Sequence, residues 1–174
     1  MSCGYISIFL LKVQQQQQVN ASGKNTTAAT FANCSPVAYR GETCKKGLQI
    51  QQTCLTGRSD SQEVHIPQDI NQEEMELQAH QLLTVGLSFL QTSAECEAAV
   101  RSFLCLYLFS LCDSGSGRVY QPSFTECVTL MTETCAREWQ INTQLGQTLL
   151  PSCESLPDDR ARSEICNHMN GTVS

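Results

Sequence analysis

The chain predicts a mainly α fold: a small, disulfide-stapled bundle of three to four helices with short β segments near the N-terminal cysteines. Three observations carry that expectation. Eleven cysteines in 174 residues is well above ordinary cytosolic usage. Apolar side chains return at helical spacing in the stretches 71–91, 93–109 and 122–139. No stretch shows the sustained alternation of apolar and polar residues that a half-buried strand needs.

The elements follow in order. Residues 1–33 hold the run Gln14 to Gln18 and then small polar residues, a composition that cannot bury enough apolar surface to offset chain entropy. This segment reads as a disordered tail, and its start, MSCGYISIFLLKV, as an incomplete or atypical leader. The stretch from Cys44 to Cys54 is short and loop-like, with short strands the alternative. A loop follows, broken by Gly57 and Pro67. The first helix opens at Asn71, a plausible N-cap with Glu74 at capping-box spacing, and its acidic first turn suits the helix dipole. Its second half is apolar nearly all round, with Gly86 a local cost. Ser93 caps the second helix, whose inner face runs through Cys96, Val100, Phe103, Leu104 and Tyr107. Its apolar continuation, FLCLYLFSLCD, sets Cys105 and Cys112 seven residues apart, about two turns, and so on one face if the helix continues. The segment DSGSGR is an exposed turn. The third helix begins at Pro122 and returns Cys127, Leu130, Met131, Thr134 and Cys135 to one side. A short fourth helix or loop covers INTQLGQTLL, and Pro151 and Pro157 then bracket Cys153 in an irregular tail.

The bulk numbers narrow the function classes. Seventeen acidic residues against eleven basic ones, with no basic cluster, disfavour nucleic acid as a partner. No apolar run reaches the roughly 20 residues of a membrane span, so membrane association is expected only through flanking segments. Zinc sites want close pairs such as C-x₂₋₄-C, but the cysteines here lie seven to ten apart within each group, and His65, His80 and His168 adjoin no cysteine pair. No single cysteine stands out as a nucleophile, and no G-x-S-x-G is present. No cofactor and no enzyme activity are expected. Disulfides remain as the role of the cysteines, with a connectivity that spacing alone leaves open. Four N-x-Ser/Thr sequons, at Asn20, Asn25, Asn33 and Asn170, fit a secretory route.

SAECEAAVRSFLCLYLFSLCD, PSFTECVTLMTETCAREW, LPSCESLP and SEIC, in that order, resemble the Frizzled-type cysteine-rich domain, as found in Frizzled, Smoothened, Ror and muscle-specific kinase receptors. The resemblance covers about residues 44 to 166 and places the domain at 34–166, with a tail at 167–174. The family joins its cysteines one to five, two to four, three to eight, six to ten and seven to nine. Carried over, this implies Cys44–Cys112, Cys54–Cys105, Cys96–Cys135 and Cys127–Cys153. The family's sixth cysteine falls at Ser123, a departure that orphans Cys166. Smoothened-type domains also lack it and use a cysteine upstream of the first, which implies Cys34–Cys166 and leaves Cys3 alone.

The resemblance further implies an extracellular ligand-binding module of a Wnt- or Hedgehog-type receptor or co-receptor. Its ligand would be a Wnt-like lipidated protein or a sterol held in an apolar groove. Leu82, Leu83 and Leu87 are the candidate wall, with Met131 and Trp139 facing them. The same residues also read as ordinary core. The alternatives are a secreted decoy or adhesion/matrix protein using the domain for protein contacts, including with a second copy of itself, and the targeting module of a larger extracellular enzyme.

Overall fold

The computed structural model describes residues 35–56, 62–66, 70–90, 93–113, 118–141 and 150–158. The tails, Cys3, Cys34, Cys166 and all four sequons lie outside them.

One helix organises the rest. α4 (Ala94–Leu108) runs through the middle, with Cys96, Val100 and everything from Phe103 to Leu108 buried. Each such large apolar side chain contributes roughly 1.5–3 kcal/mol by leaving water. Its N-terminus is closed by Ser93, whose hydroxyl accepts from the Cys96 N–H at 3.3 Å, as expected for a serine N-cap.

Three helical segments pack around it. α1 (Lys45–Thr56) replaces the loop expected between Cys44 and Cys54. Lys, Leu and Gln are good helix formers, and Cys44, Leu48 and Gln52, four apart, make one buried stripe. α2 (Gln72–Gln81) is capped by Asn71, but the Asn71 side chain accepts from the Glu73 N–H at 3.0 Å, one residue earlier than a capping box requires. It continues through a π-helical turn, π1 (Leu82–Gly86), into α3 (Leu87–Leu90). The third segment is α5 (Phe124–Thr129), a second π-turn π2 (Leu130–Thr134), and α6 (Ala136–Ile141). The π-turn solves a register problem. Cys127 and Cys135 are eight residues apart, which on an unbroken α-helix separates them by roughly 80°. One extra residue absorbed in π2, marked by the Cys135 N–H bonding Leu130 O at 2.9 Å, cuts the effective spacing to seven, and both cysteines are fully buried.

α4 does not run on to Cys112. Phe109 leaves helical geometry (φ −117°, ψ 80°), and the chain enters a strand. Four short strands, β1 (Pro36–Ala38), β2 (Glu63–His65), β3 (Ser110–Asp113) and β4 (Arg118–Tyr120), form an antiparallel sheet in that spatial order. Val37 stands opposite Val64, Val64 opposite Leu111, and Leu111 opposite Tyr120. Val64 and Leu111 in the central strands are buried, and Val37 on the edge is exposed. The two strands nearest the N-terminal cysteines are the expected β segments. Strands of three or four residues are too short to print an alternating pattern in the sequence.

Candidate functional site

Three disulfides are described, and all involve the helical layer. Cys96 is bonded to Cys135, and Cys127 to Cys153, both as the family pairing implies. The third corrects the N-terminal assignment. Cys44 is bonded to Cys105, with 5.2 Å between the Cα atoms, so neither Cys44–Cys112 nor Cys54–Cys105 forms. The reason is packing. Cys44 opens α1, and α1 lies along α4 where Cys105 occupies the last turn. Gly47, one turn further along, brings the α1 backbone close: a Cβ there would stand 3.4 Å from Ser102 Cα. Cys112 sits past the end of α4 in β3 and is disulfide-bonded elsewhere. Cys34–Cys166 lies outside the described residues, as does the Cys54 side chain.

The position of the absent sixth cysteine has another use. Ser123 is fully buried and caps α5 through a reciprocal capping box. Its hydroxyl accepts from the Glu126 N–H at 3.2 Å, and the Glu126 carboxylate accepts from the Ser123 N–H at 2.7 Å. The next residue, Phe124, donates its N–H to Pro157 O at 2.8 Å. Beside Cys127–Cys153, this backbone bond also ties the start of α5 to the C-terminal segment.

A second polar cluster was not anticipated from sequence. Glu76 on α2 reaches over to the turn that precedes α1. Its Oε1 accepts from the N–H groups of Glu42 (2.9 Å) and Thr43 (2.6 Å), and its Oε2 from the Tyr39 hydroxyl. That hydroxyl in turn accepts from the Cys44 N–H at 2.9 Å, and the Tyr39 ring meets Phe109 edge-on at 5.0 Å. Burial pushes the Glu76 carboxyl up, but the hydrogen bonds from Thr43, Tyr39 and Glu42 outweigh it and hold the group below the usual carboxylate range. Burial, and then the hydrogen bond to Glu76, push the Tyr39 hydroxyl up. Gly41 has no room for a Cβ, which would collide with the Glu76 carboxyl and the Tyr39 hydroxyl.

Four of the five candidate groove residues lie within the single core rather than at a surface, and the fifth, Met131, is partly buried against it. Leu82, Leu83, Leu87 and Trp139 are buried in the core, and Met131 packs against it with its sulfur 3.4 Å from Cys153 Sγ. In the same core Tyr107 is 1% exposed, its hydroxyl has no hydrogen-bond partner among the described residues, and burial pushes that hydroxyl up to about 12. An open cleft among the described residues lies elsewhere. A cleft of about 150 Å³ separates α1, α4 and the α5–π2 segment, floored by Phe103, Leu106 and Leu130 and edged by Gln51, Ser102 and Glu126. Sequence reading assigned Phe103 to the core and gave Gln51, Ser102 and Leu106 no role. The signal available was the second face of α4, Ser102 to Leu106, one turn apart.

Among the described residues no helix is long and apolar enough to cross a membrane. A family model of the Fz domain matches residues 34–160. No curated protein matches the chain. The match begins at Cys34 and ends before Cys166.

Proposed function

Because the chain belongs to the Fz domain family, a family of extracellular, cysteine-rich ligand-binding modules, we propose that it is the recognition module of a Wnt- or Hedgehog-type receptor or co-receptor, taking a lipidated protein or a sterol as ligand. The observation that carries this reading is the family match over 34–160. In this reading Leu82, Leu83 and Leu87 form one wall of an acyl site, with Met131 and Trp139 opposite. Each CH₂ transferred from water to such a wall would contribute roughly 0.8 kcal/mol. Leu83 is 1% exposed and Leu87 5%, so an acyl chain would have to part the helices to reach them.

That same burial favours a second reading, in which the domain recognises a protein surface and its core stays closed. One experiment separates the two: binding of the oxidised, glycosylated domain to a Wnt protein with and without its acyl chain. Acyl-dependent binding supports the lipid-reading module. Equal binding to both forms supports the protein-contact module. Binding to neither, together with no binding of a sterol, overturns the proposal.

A further inference from the structure

We propose that Cys127–Cys153 is a releasable bridge, opened in the folded chain by a dithiol reductant. Opening loosens the C-terminal segment 150–158 while the helices stay bonded to α4. The inference goes beyond the acyl-binding reading and does not depend on it.

Burial sets this bridge apart from the other two described. Cys44, Cys105, Cys96 and Cys135 are all 0% exposed, so a reductant reaches those sulfurs only after the bundle opens. Cys127 is equally buried, but Cys153 is only partly so. It opens a short 3₁₀ turn (Cys153–Ser155), and its neighbours Ser152 and Glu154 are exposed. Met131 packs its sulfur 3.4 Å from Cys153 Sγ, and Met131 is itself partly buried. An unbranched thioether side chain has three rotatable bonds, so it can swing off that sulfur without unwinding a helix.

Position is the second argument. The bridge closes the shortest of the three loops, 26 residues against 39 and 61, so its loss frees the unfolded chain least. Cys96–Cys135 still holds the α5–π2–α6 segment to α4 when Cys127–Cys153 is open. The C-terminal segment keeps buried Leu150 and Leu156 and the Phe124 N–H bond to Pro157 O at 2.8 Å. Those contacts keep the two thiols near enough for the bridge to re-form.

The chemistry is thiol–disulfide exchange. A thiolate of the dithiol attacks Cys153 Sγ and forms a mixed disulfide, and Cys127 leaves as a thiolate and takes up a proton. The second thiolate of the reductant then attacks its own sulfur in that mixed disulfide, and Cys153 leaves and is protonated. The bridge gains two electrons and two protons, and the dithiol is oxidised to its disulfide.

The test treats the oxidised full chain with dithiothreitol under native conditions, quenches with an alkylating agent at intervals, and maps the peptides. Cys127 and Cys153 should be alkylated while Cys44–Cys105 and Cys96–Cys135 remain bonded. The helical circular dichroism should be retained, and the Phe124 and Leu156 amides should exchange more than about tenfold faster. In urea the three bridges should open together. Met131→Ala should speed opening of this bridge by about threefold or more, and Met131→Leu, which keeps the bulk, should not. If either of the other two bridges opens first or alongside under native conditions, the proposal fails. It fails equally if helical signal is lost with the bridge, if the same order persists in urea, or if Met131→Ala opens no faster than wild type.

Discussion

Two helices are strapped to α4 by different means. Among the described residues, α1 is held by the disulfide Cys44–Cys105, and the N–H of Cys44, where the helix starts, donates to the Tyr39 hydroxyl, itself held by Glu76, which also accepts from the Thr43 N–H just before the helix. The α5–π2–α6 segment is held by Cys96–Cys135, tied to the C-terminal segment by Cys127–Cys153, and caps its own N-terminus through Ser123 and Glu126. Its far end is also pinned: Glu138 on α6 accepts from the Ser93 N–H at 3.1 Å, beside the start of α4. Every helix start has donors without intrahelical partners. One solution is local and the other is tertiary, and that difference decides both what breaks each strap and what the sequence discloses.

Removing a disulfide should have the largest effect. The Cys96–Cys135 bridge spans 39 residues and Cys44–Cys105 spans 61, so the chain-entropy account gives each about 4 kcal/mol. The double variants Cys96→Ala/Cys135→Ala and Cys44→Ala/Cys105→Ala should therefore lose similar stability in urea unfolding, with α1 amides exchanging faster only in the second. If the second pair costs less than about 1 kcal/mol, the polar clamp rather than the disulfide holds α1, and the comparison inverts.

Gly41→Ala comes next. Its Cβ would drive apart the Glu76 carboxyl and the Tyr39 hydroxyl, an overpacking expected to cost about 1–3 kcal/mol. Gly47→Ala is the matched control, since its Cβ would make ordinary contacts with Ser102 and Cys105, and alanine favours the helix by about 1 kcal/mol. The melting temperature should fall for the first and stay level or rise for the second. A fall in both would place the sensitivity in α1 packing and not in the clamp.

Ser123→Ala should cost about 1 kcal/mol, the usual loss for an N-cap, with faster amide exchange in the first turn of α5. Exchange unchanged at Glu126 would show that the capping box does not hold that turn in solution.

These same residues show what could be read beforehand. Ser123-x-x-Glu126 is a capping box written in four consecutive residues, yet a reading that starts the helix at Pro122 and treats Ser123 only as a missing cysteine passes over it. The Glu76 clamp joins residues more than thirty positions apart, and no local pattern announces it. The helices after Asn71, Ser93 and Pro122 were legible because their apolar periodicity is local. α1 was not, since its buried stripe of Cys44, Leu48 and Gln52 contains a single leucine. The disulfide order failed by one register. With Cys44 bonded to Cys105, as the family joins its second cysteine to its fourth, the same order predicts Cys34 in the first place and joined to Cys112. Non-reducing peptide mapping should join the Cys34 and Cys112 peptides, and finding Cys34 with Cys166 would return the N-terminal bridge to the Smoothened-like scheme. The groove residues read both as a groove wall and as ordinary core, because a leucine that lines a trough and one that fills a core have the same spacing, and Leu82, Leu83, Leu87 and Trp139 are buried as the core reading expects.

The smallest effect concerns acid. Glu76 is held below the usual carboxylate range in the folded protein because three donors favour its charged form over the desolvation that opposes it. The unfolded chain takes up a proton at a higher pH than the folded one does, near the ordinary value of about 4.3. The contribution of Glu76 is therefore fully present above that value, and it is lost as pH falls through the depressed folded value. Glu76→Gln keeps one acceptor oxygen and removes the titration. It should lower stability modestly at neutral pH and flatten the acid limb, so that the two proteins converge as pH drops below about 4. The α1 disulfide is indifferent to this range, and the Ser123 cap is bound to a different carboxylate. A difference between wild type and Glu76→Gln that vanishes in acid therefore isolates the clamp from both. Parallel profiles at all pH values would mean that Glu76 acts through packing alone, and the contrast between a charged tertiary cap and a local one would then fail.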